Sequence, residues 1–142
     1  MRKILIFVAL LVATSIMASE VKLAKNFETA MDEAIKLDRP LLVIVSSHTC
    51  YYCDVFKKTA LKDEKVIEDL NKNFVSVIAY SDEKDFIPRE LLIGVTPAIW
   101  FLQPSGDVMF QPIKGAVDTE SFLTALTVVK KEFKSSKKSE KK

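Results

Sequence analysis

The sequence predicts an α/β fold, a central mixed sheet of four to five strands flanked by helices on both faces. Three observations carry that expectation. Helical and strand-like hydrophobic patterns alternate along the chain without an internal repeat. The unbroken apolar run Leu41 to Val45 has the length and β-branched content of a strand buried on both faces, central in its sheet. Both cysteines fall in one motif just after that run, Cys50-Tyr51-Tyr52-Cys53, with Thr96-Pro97 further on. With 142 residues, 49% of them hydrophobic and nine of them Phe, the chain has material for one core and not for two.

The elements follow in order. Asn26 is placed to cap a helix whose apolar residues Phe27, Ala30, Met31, Ala34 and Ile35 share one face, and Pro40 stops it. The strand Leu41 to Val45 comes next. After Cys53, the spacing of Val55, Phe56, Ala60 and Leu61 continues a helix, and Asp63 offers a fresh cap before Val66, Ile67 and Leu70: one bent helix or two in series. Phe74 to Tyr80, rich in Val, Ile and aromatics, reads as a second strand. Pro88 suits the first position of a helix that Gly94 would end. Ala98 to Leu102 and Val108 to Pro112 are predicted to form an antiparallel hairpin around the turn Pro104-Ser105-Gly106-Asp107, with Trp100 in the core. Asp118 caps a last helix with Phe122, Leu126, Val129 and Phe133 on one stripe.

The start of the chain has the pattern of a signal peptide. Arg2 and Lys3 precede the apolar stretch Ile4 to Ala13, and a more polar stretch with small residues follows, with cleavage expected after Ala18. The apolar stretch is shorter than the roughly 20 residues that span a bilayer, which argues against an uncleaved anchor. The chain thus divides into a leader, residues 1–18, a folded domain, residues 19–133, and a basic tail, residues 134–142, expected to be disordered. The whole chain has 21 basic and 19 acidic residues; leaving out residues 1–18 and 130–142 removes nine and two, so the body carries 12 against 17, a net of −5. No nucleic-acid partner is expected. The lysines from Lys130 onward are a solvated end or make weak contact with an anionic membrane surface.

The cysteines suggest redox chemistry. In an exported protein an isolated pair is usually structural, yet the loop closed here holds only two residues and gains little entropic stabilisation. A bond with so weak a structural reason is one that is made and broken. A strand that delivers Cys-x-x-Cys to the start of a helix places the first sulfur at the positive end of the helix dipole, where a thiolate is stabilised.

The apolar strand into Cys-x-x-Cys, Gly94-Val95-Thr96-Pro97 before a strand, the Ser105-Gly106-Asp107 turn and Gly115 before the last helix together resemble the thioredoxin fold, over nearly all of the chain after the leader. The run Lys57 to Phe74 is similar to the exported group that includes the C-terminal domain of the transmembrane thiol:disulfide interchange protein. The resemblance implies a thiol:disulfide oxidoreductase in which Cys50 is the nucleophile, Cys53 the resolving thiol and Pro97 a cis proline that holds the Thr96 backbone beside the disulfide for an extended client segment. It implies no cofactor beyond the redox-active Cys50–Cys53 disulfide. The sequence departs from thioredoxins in three places. Thr49 replaces an aromatic before the first cysteine, Ile44 stands where a buried acid assists the second, and Tyr51-Tyr52 replaces Gly-Pro. Tyr52 before the second cysteine and Thr96 before the proline resemble the periplasmic disulfide isomerases, whose separate dimerisation domain has no counterpart in the roughly seven residues before the first helix, so a monomer is expected.

These implications place the protein in the periplasm, reducing or isomerising disulfides of exported proteins, with cytochrome c maturation one use and a membrane thiol reductase as electron donor. Two rival readings come from other classes. His48, the single histidine, lies two residues before Cys50; it is either a thiolate-stabilising imidazolium or a surface residue. With Cys50 and Cys53 it resembles the loop of a copper-binding metallochaperone. The other rival is a non-enzymatic client-holding chaperone that uses the apolar surface around Tyr51, Tyr52, Pro97 and Trp100, although Trp100 itself fits the core better.

Overall fold

Six consecutive buried residues, Leu41–Ser46, form β1 at the centre of the sheet in a computed structural model that describes residues 19–140. The expected leader lies outside those residues. On one side β1 pairs in parallel with β2, Val75–Tyr80, and on the other it pairs antiparallel with β3, Ala98–Leu102, which in turn pairs with β4, Ile113–Lys114. The order is β2-β1-β3-β4, a four-stranded mixed sheet. Outside β2, Leu23 bridges Ser76, and the Ala24 N–H donates to the Ser76 carbonyl at 2.8 Å.

Side chains alternate across the two faces of a strand, and the helices divide accordingly. Leu41, Val43 and Val45 pack with Val77, Trp100 and Leu102 against Phe27, Ala30 and Ala34 of α1, Phe27–Leu37. Leu42 and Ile44 pack with Ile99 and Phe101 against α2, Tyr51–Lys58, α3, Glu64–Asn73, and α4, Thr119–Glu140, through Phe56, Leu70 and Phe122. Fully burying a side chain of this size is worth about 1.5–3 kcal/mol. Phe56 and Phe122 meet edge to face, ring centroids 5.1 Å apart at 85°.

Polar side chains set the helix starts. Asn26 accepts the Thr29 N–H at 2.9 Å to begin α1. Asp63 accepts the Lys65 and Val66 N–H groups to begin α3, so the helical stretch after Cys53 is two helices in series, separated by a 3-10 turn at Ala60–Lys62. Asp118 accepts the Ser121 N–H at 2.9 Å ahead of α4.

Three expectations need correction. The predicted Pro88–Gly94 helix is a single 3-10 turn, Arg89–Leu91. The indole N–H of Trp100 donates to the Leu91 carbonyl at 3.2 Å, taking an acceptor that a further helical turn would use, and Gly94 turns the chain away at φ +73. The return strand expected at Val108 to Pro112 touches β3 at Val108 as an isolated bridge to Leu102 and pairs again only at Ile113 and Lys114. Between these contacts two residues of β3, Trp100 and Phe101, face four of the returning chain, and Pro112, with no N–H to donate, lies in the excursion. Finally, the tail expected to be disordered is helical through Glu140. Phe133 is buried, Gln103 Nε2 donates to Ser136 Oγ at 3.3 Å, Lys137 pairs with Asp38, and Lys130 pairs with Asp69 at 2.6 Å. No helix of the described residues is long and apolar enough to cross a membrane.

Candidate active site

The chain leaves β1 at Ser46 and reaches Cys50 through a tight loop in which the Cys50 N–H donates to the Ser47 carbonyl at 3.3 Å. Cys50 is the N-cap of α2. It has the extended backbone of a cap, and its Sγ accepts the Cys53 N–H at 3.1 Å, the place a Ser or Asp oxygen takes in other helices. Cys50 and Cys53 are joined as a disulfide, with Cα atoms 5.2 Å apart. Cys50 is partly exposed, and Cys53 is 1% exposed. When the bond opens, the same N–H and the helix dipole favour a thiolate at Cys50, while burial disfavours one at Cys53. One sulfur is thereby equipped to attack and the other to stay behind it.

Tyr51 and Tyr52 begin α2 and stand 74% and 62% exposed, ring centroids 5.4 Å apart in an edge-to-face pair beside the disulfide. Pro97 arrives at the same end of the sheet. The last pair of the β1–β3 ladder is Val45 with Ala98, so the next residues outward are Ser46 and Pro97. The Thr96–Pro97 peptide is cis, Pro97 is buried, and its carbonyl accepts the Gly115 N–H at 2.8 Å. The backbone N–H and C=O of Thr96 have no hydrogen-bond partner among the described residues. They are available to an extended strand.

His48 is held away from the sulfurs. Its backbone N–H donates to Asp82 at 2.9 Å, its Nδ1 is 3.0 Å from the same carboxylate, its Nε2 is 3.0 Å from Glu83, and its ring stacks on Tyr80 at 4.2 Å. These hydrogen bonds, first the one from the backbone N–H, hold the Asp82 carboxyl below the usual carboxylate range. Lys57 lies 5.7 Å from the centre of the Tyr80 ring and pairs with Asp54 at 3.0 Å, and that bond lowers the Asp54 carboxyl in turn. With both ring nitrogens facing carboxylates, His48 does not join Cys50 and Cys53 in a ligand set, and among the described residues no group of three or more His, Cys, Asp or Glu is arranged to hold a metal. The Asp82–Glu83 partnership lay beyond sequence reasoning, since 34 residues separate Asp82 from His48 and no spacing rule links them. Ser46, a polar residue sealed in the core, was legible only as the polar end of an apolar run.

The family model described as a thioredoxin-like domain matches residues 27–130. The chain belongs to that family. Among curated proteins, this thioredoxin-like chain is 29% identical over 62 residues to spermatogenesis-associated protein 20 of Rattus norvegicus, a match over 44% of the chain and only 8% of the relative's length. Among solved structures, it superposes on DsbH oxidoreductase with a TM-score of 0.65 at 13% identity, covering 82% of this chain and 89% of that one. It superposes on the DsbD C-terminal domain of Neisseria meningitidis, in the oxidised form, with a TM-score of 0.54 at 19% identity, covering 68% and 87%. At such identities the structural likeness shows the fold. The family and the bonded Cys50–Cys53 pair together give this chain a dithiol/disulfide couple at the start of α2.

Proposed function

We propose that the protein works in the periplasm as a reductant, or isomerase, of disulfides in exported proteins, receiving electrons from a membrane thiol reductase, with cytochrome c maturation as one use. The observation that carries the redox reading is the asymmetry of the pair: partly exposed Cys50 sits in the cap position of α2, and Cys53 is buried behind it. Cys50 thiolate attacks a client disulfide and forms a mixed disulfide; Cys53 then attacks Cys50 Sγ, closing the Cys50–Cys53 bond and releasing the client as a thiolate that takes up a proton. Tyr51, Tyr52 and the unpaired Thr96 backbone beside Pro97 receive the client segment as an added strand. Export is supported by the leader pattern of residues 2–18. The names of the two solved relatives, an oxidoreductase and a DsbD domain, agree with this reading.

Direction is tested by equilibrating the protein with glutathione buffers. A reduction potential near about −270 mV supports the reductant, and one near about −120 mV replaces it with an oxidase.

A further inference from the structure

Two buried side-chain hydroxyls lack a hydrogen-bond partner among the described residues, Ser46 Oγ and Ser76 Oγ, on residues 1% and 2% exposed. A polar group kept in the core without a partner is destabilising, and its persistence asks for a use. The two hydroxyls are differently placed. Ser76 is near the start of β2, in register with Leu42; Ser46 is the last residue of β1, where the chain turns toward Cys50.

Strand alternation puts Ser46 on the face of Leu42 and Ile44, the face covered by α2. Its register partner in β2 is Tyr80, whose ring lies against Lys57 of α2. Along α2, Phe56 and Lys57 follow Cys53 by three and four residues and therefore share its side of the helix. Phe56 packs in the cluster of Leu42 and Ile44, and Cys53 is one turn nearer the end of β1 at which Ser46 sits. Both the sulfur and the hydroxyl are sealed from solvent.

We propose that Ser46 is the hydrogen-bond donor to the resolving thiolate: once the disulfide opens, its Oγ–H turns to the sulfur of Cys53. The inference rests on the redox reading of the Cys50–Cys53 pair. In the disulfide form that sulfur is bonded to Cys50 and the hydroxyl is idle, as observed. In the reduced protein a thiol at Cys53 is enclosed by apolar side chains, where burial opposes its ionisation. A hydroxyl both accepts and donates, so Ser46 accepts from the Cys53 S–H and, on ionisation, rotates to donate to the anion. In the mixed disulfide, Cys53 thiolate attacks Cys50 Sγ. The Cys50–Cys53 bond forms, the bond from Cys50 to the client sulfur breaks, and the client leaves with that electron pair. The proton shed by Cys53 passes to solvent and an equivalent one is taken up by the client thiolate. Ser46 keeps its own proton and is neither oxidised nor reduced.

The test is a single-turnover reaction of the reduced full-length protein with oxidised glutathione, quenched by thiol alkylation and read by mass. The glutathionylated intermediate at Cys50 is followed in wild type, Ser46→Ala, Ser46→Thr and Ser76→Ala. In Ser46→Ala the intermediate is expected to decay about tenfold or more slowly at neutral pH, the effect of one hydrogen bond to a charged sulfur, with the gap closing in alkali. Ser46→Thr, which keeps the hydroxyl, restores the rate. Ser76→Ala, which removes an equally buried and equally unpaired hydroxyl elsewhere, leaves the rate unchanged. Decay of Ser46→Ala at the wild-type rate at every pH overturns the proposal, as does a Ser46→Thr variant as slow as Ser46→Ala. A wild-type protein that glutathione never oxidises removes the redox reading itself, a result separate from either of these.

Discussion

Asp82 accepts the backbone N–H of His48 at 2.9 Å and faces its ring Nδ1 at 3.0 Å, tying the loop that carries Cys50 to the end of β2. The loop is thereby fixed from a neighbouring strand as well as from α2. This matters for a sulfur that caps α2 by accepting the Cys53 N–H.

The tether is pH-dependent. His48, through its backbone N–H first and its ring second, lowers the Asp82 carboxyl in the folded chain. A depressed carboxyl contributes stability that is complete above its unfolded value, near about 4, and is lost as the pH falls through the folded value. Asp82→Asn is therefore expected to be less stable than wild type at neutral pH and to converge with it in acid. His48→Ala, which keeps the stronger backbone bond, should show a smaller version of the same behaviour. Urea unfolding across the acid range checks both, and an Asp82→Asn deficit of constant size at all pH values would contradict the account.

Phe56 is fully buried and meets Phe122 edge to face, pinning α2 to α4 through the core. Phe56→Ala should cost about 3–5 kcal/mol of stability. A double-mutant cycle with Phe122→Ala should return a coupling of about 0.5–1.5 kcal/mol, measured by chemical denaturation.

Gly115 donates to the Pro97 carbonyl from a backbone at φ +88, and nothing lies within 4 Å of the place a Cβ would occupy. Gly115→Ala should accordingly lose about 1–2 kcal/mol through backbone conformation alone. A side-chain clash is excluded by the open space, so Gly115→Asn, which tolerates the left-handed region better, should recover part of the loss in thermal unfolding.

The difference in exposure between the sulfurs predicts opposite variants. Cys53→Ala should accumulate mixed disulfides through Cys50, seen as mass additions that reductant removes. Cys50→Ala should accumulate almost none, because its remaining thiol is enclosed in the core. Equal trapping by the two would show that the exposure difference does not govern attack.

Much of this arrangement was written locally in the chain. Leu41 to Val45 announces a buried strand because every residue from Leu41 to Ser46 is enclosed, and the cap residues Asn26, Asp63 and Asp118 announce helix starts because their bonding partners lie within three residues. Where a distant group intervened, local reading failed. The stretch after Pro88 has helical punctuation, but Trp100 takes the Leu91 carbonyl from nine residues away. The lysine-rich end has the composition of a solvated tail, yet Phe133, the Gln103–Ser136 bond and the Lys137–Asp38 pair hold it as helix against the body. In the site, the placing of Cys50 at the start of α2 and of Cys53 one turn on was legible in their spacing after the apolar strand, whereas the carboxylates around His48 came from a loop that no sequence interval connects to it.

The residues ahead of α1 guard the sheet. β2 is a border strand, and a border with free N–H and C=O groups is a template on which a second chain can assemble. The far border, β4, is only two residues long and offers little to pair with. On the β2 side, Leu23 and Ala24 lie across Ser76 and cover the start of what would otherwise be an open rail. A second chain approaching along β2 therefore meets that segment first, at the end of the strand away from the sulfurs.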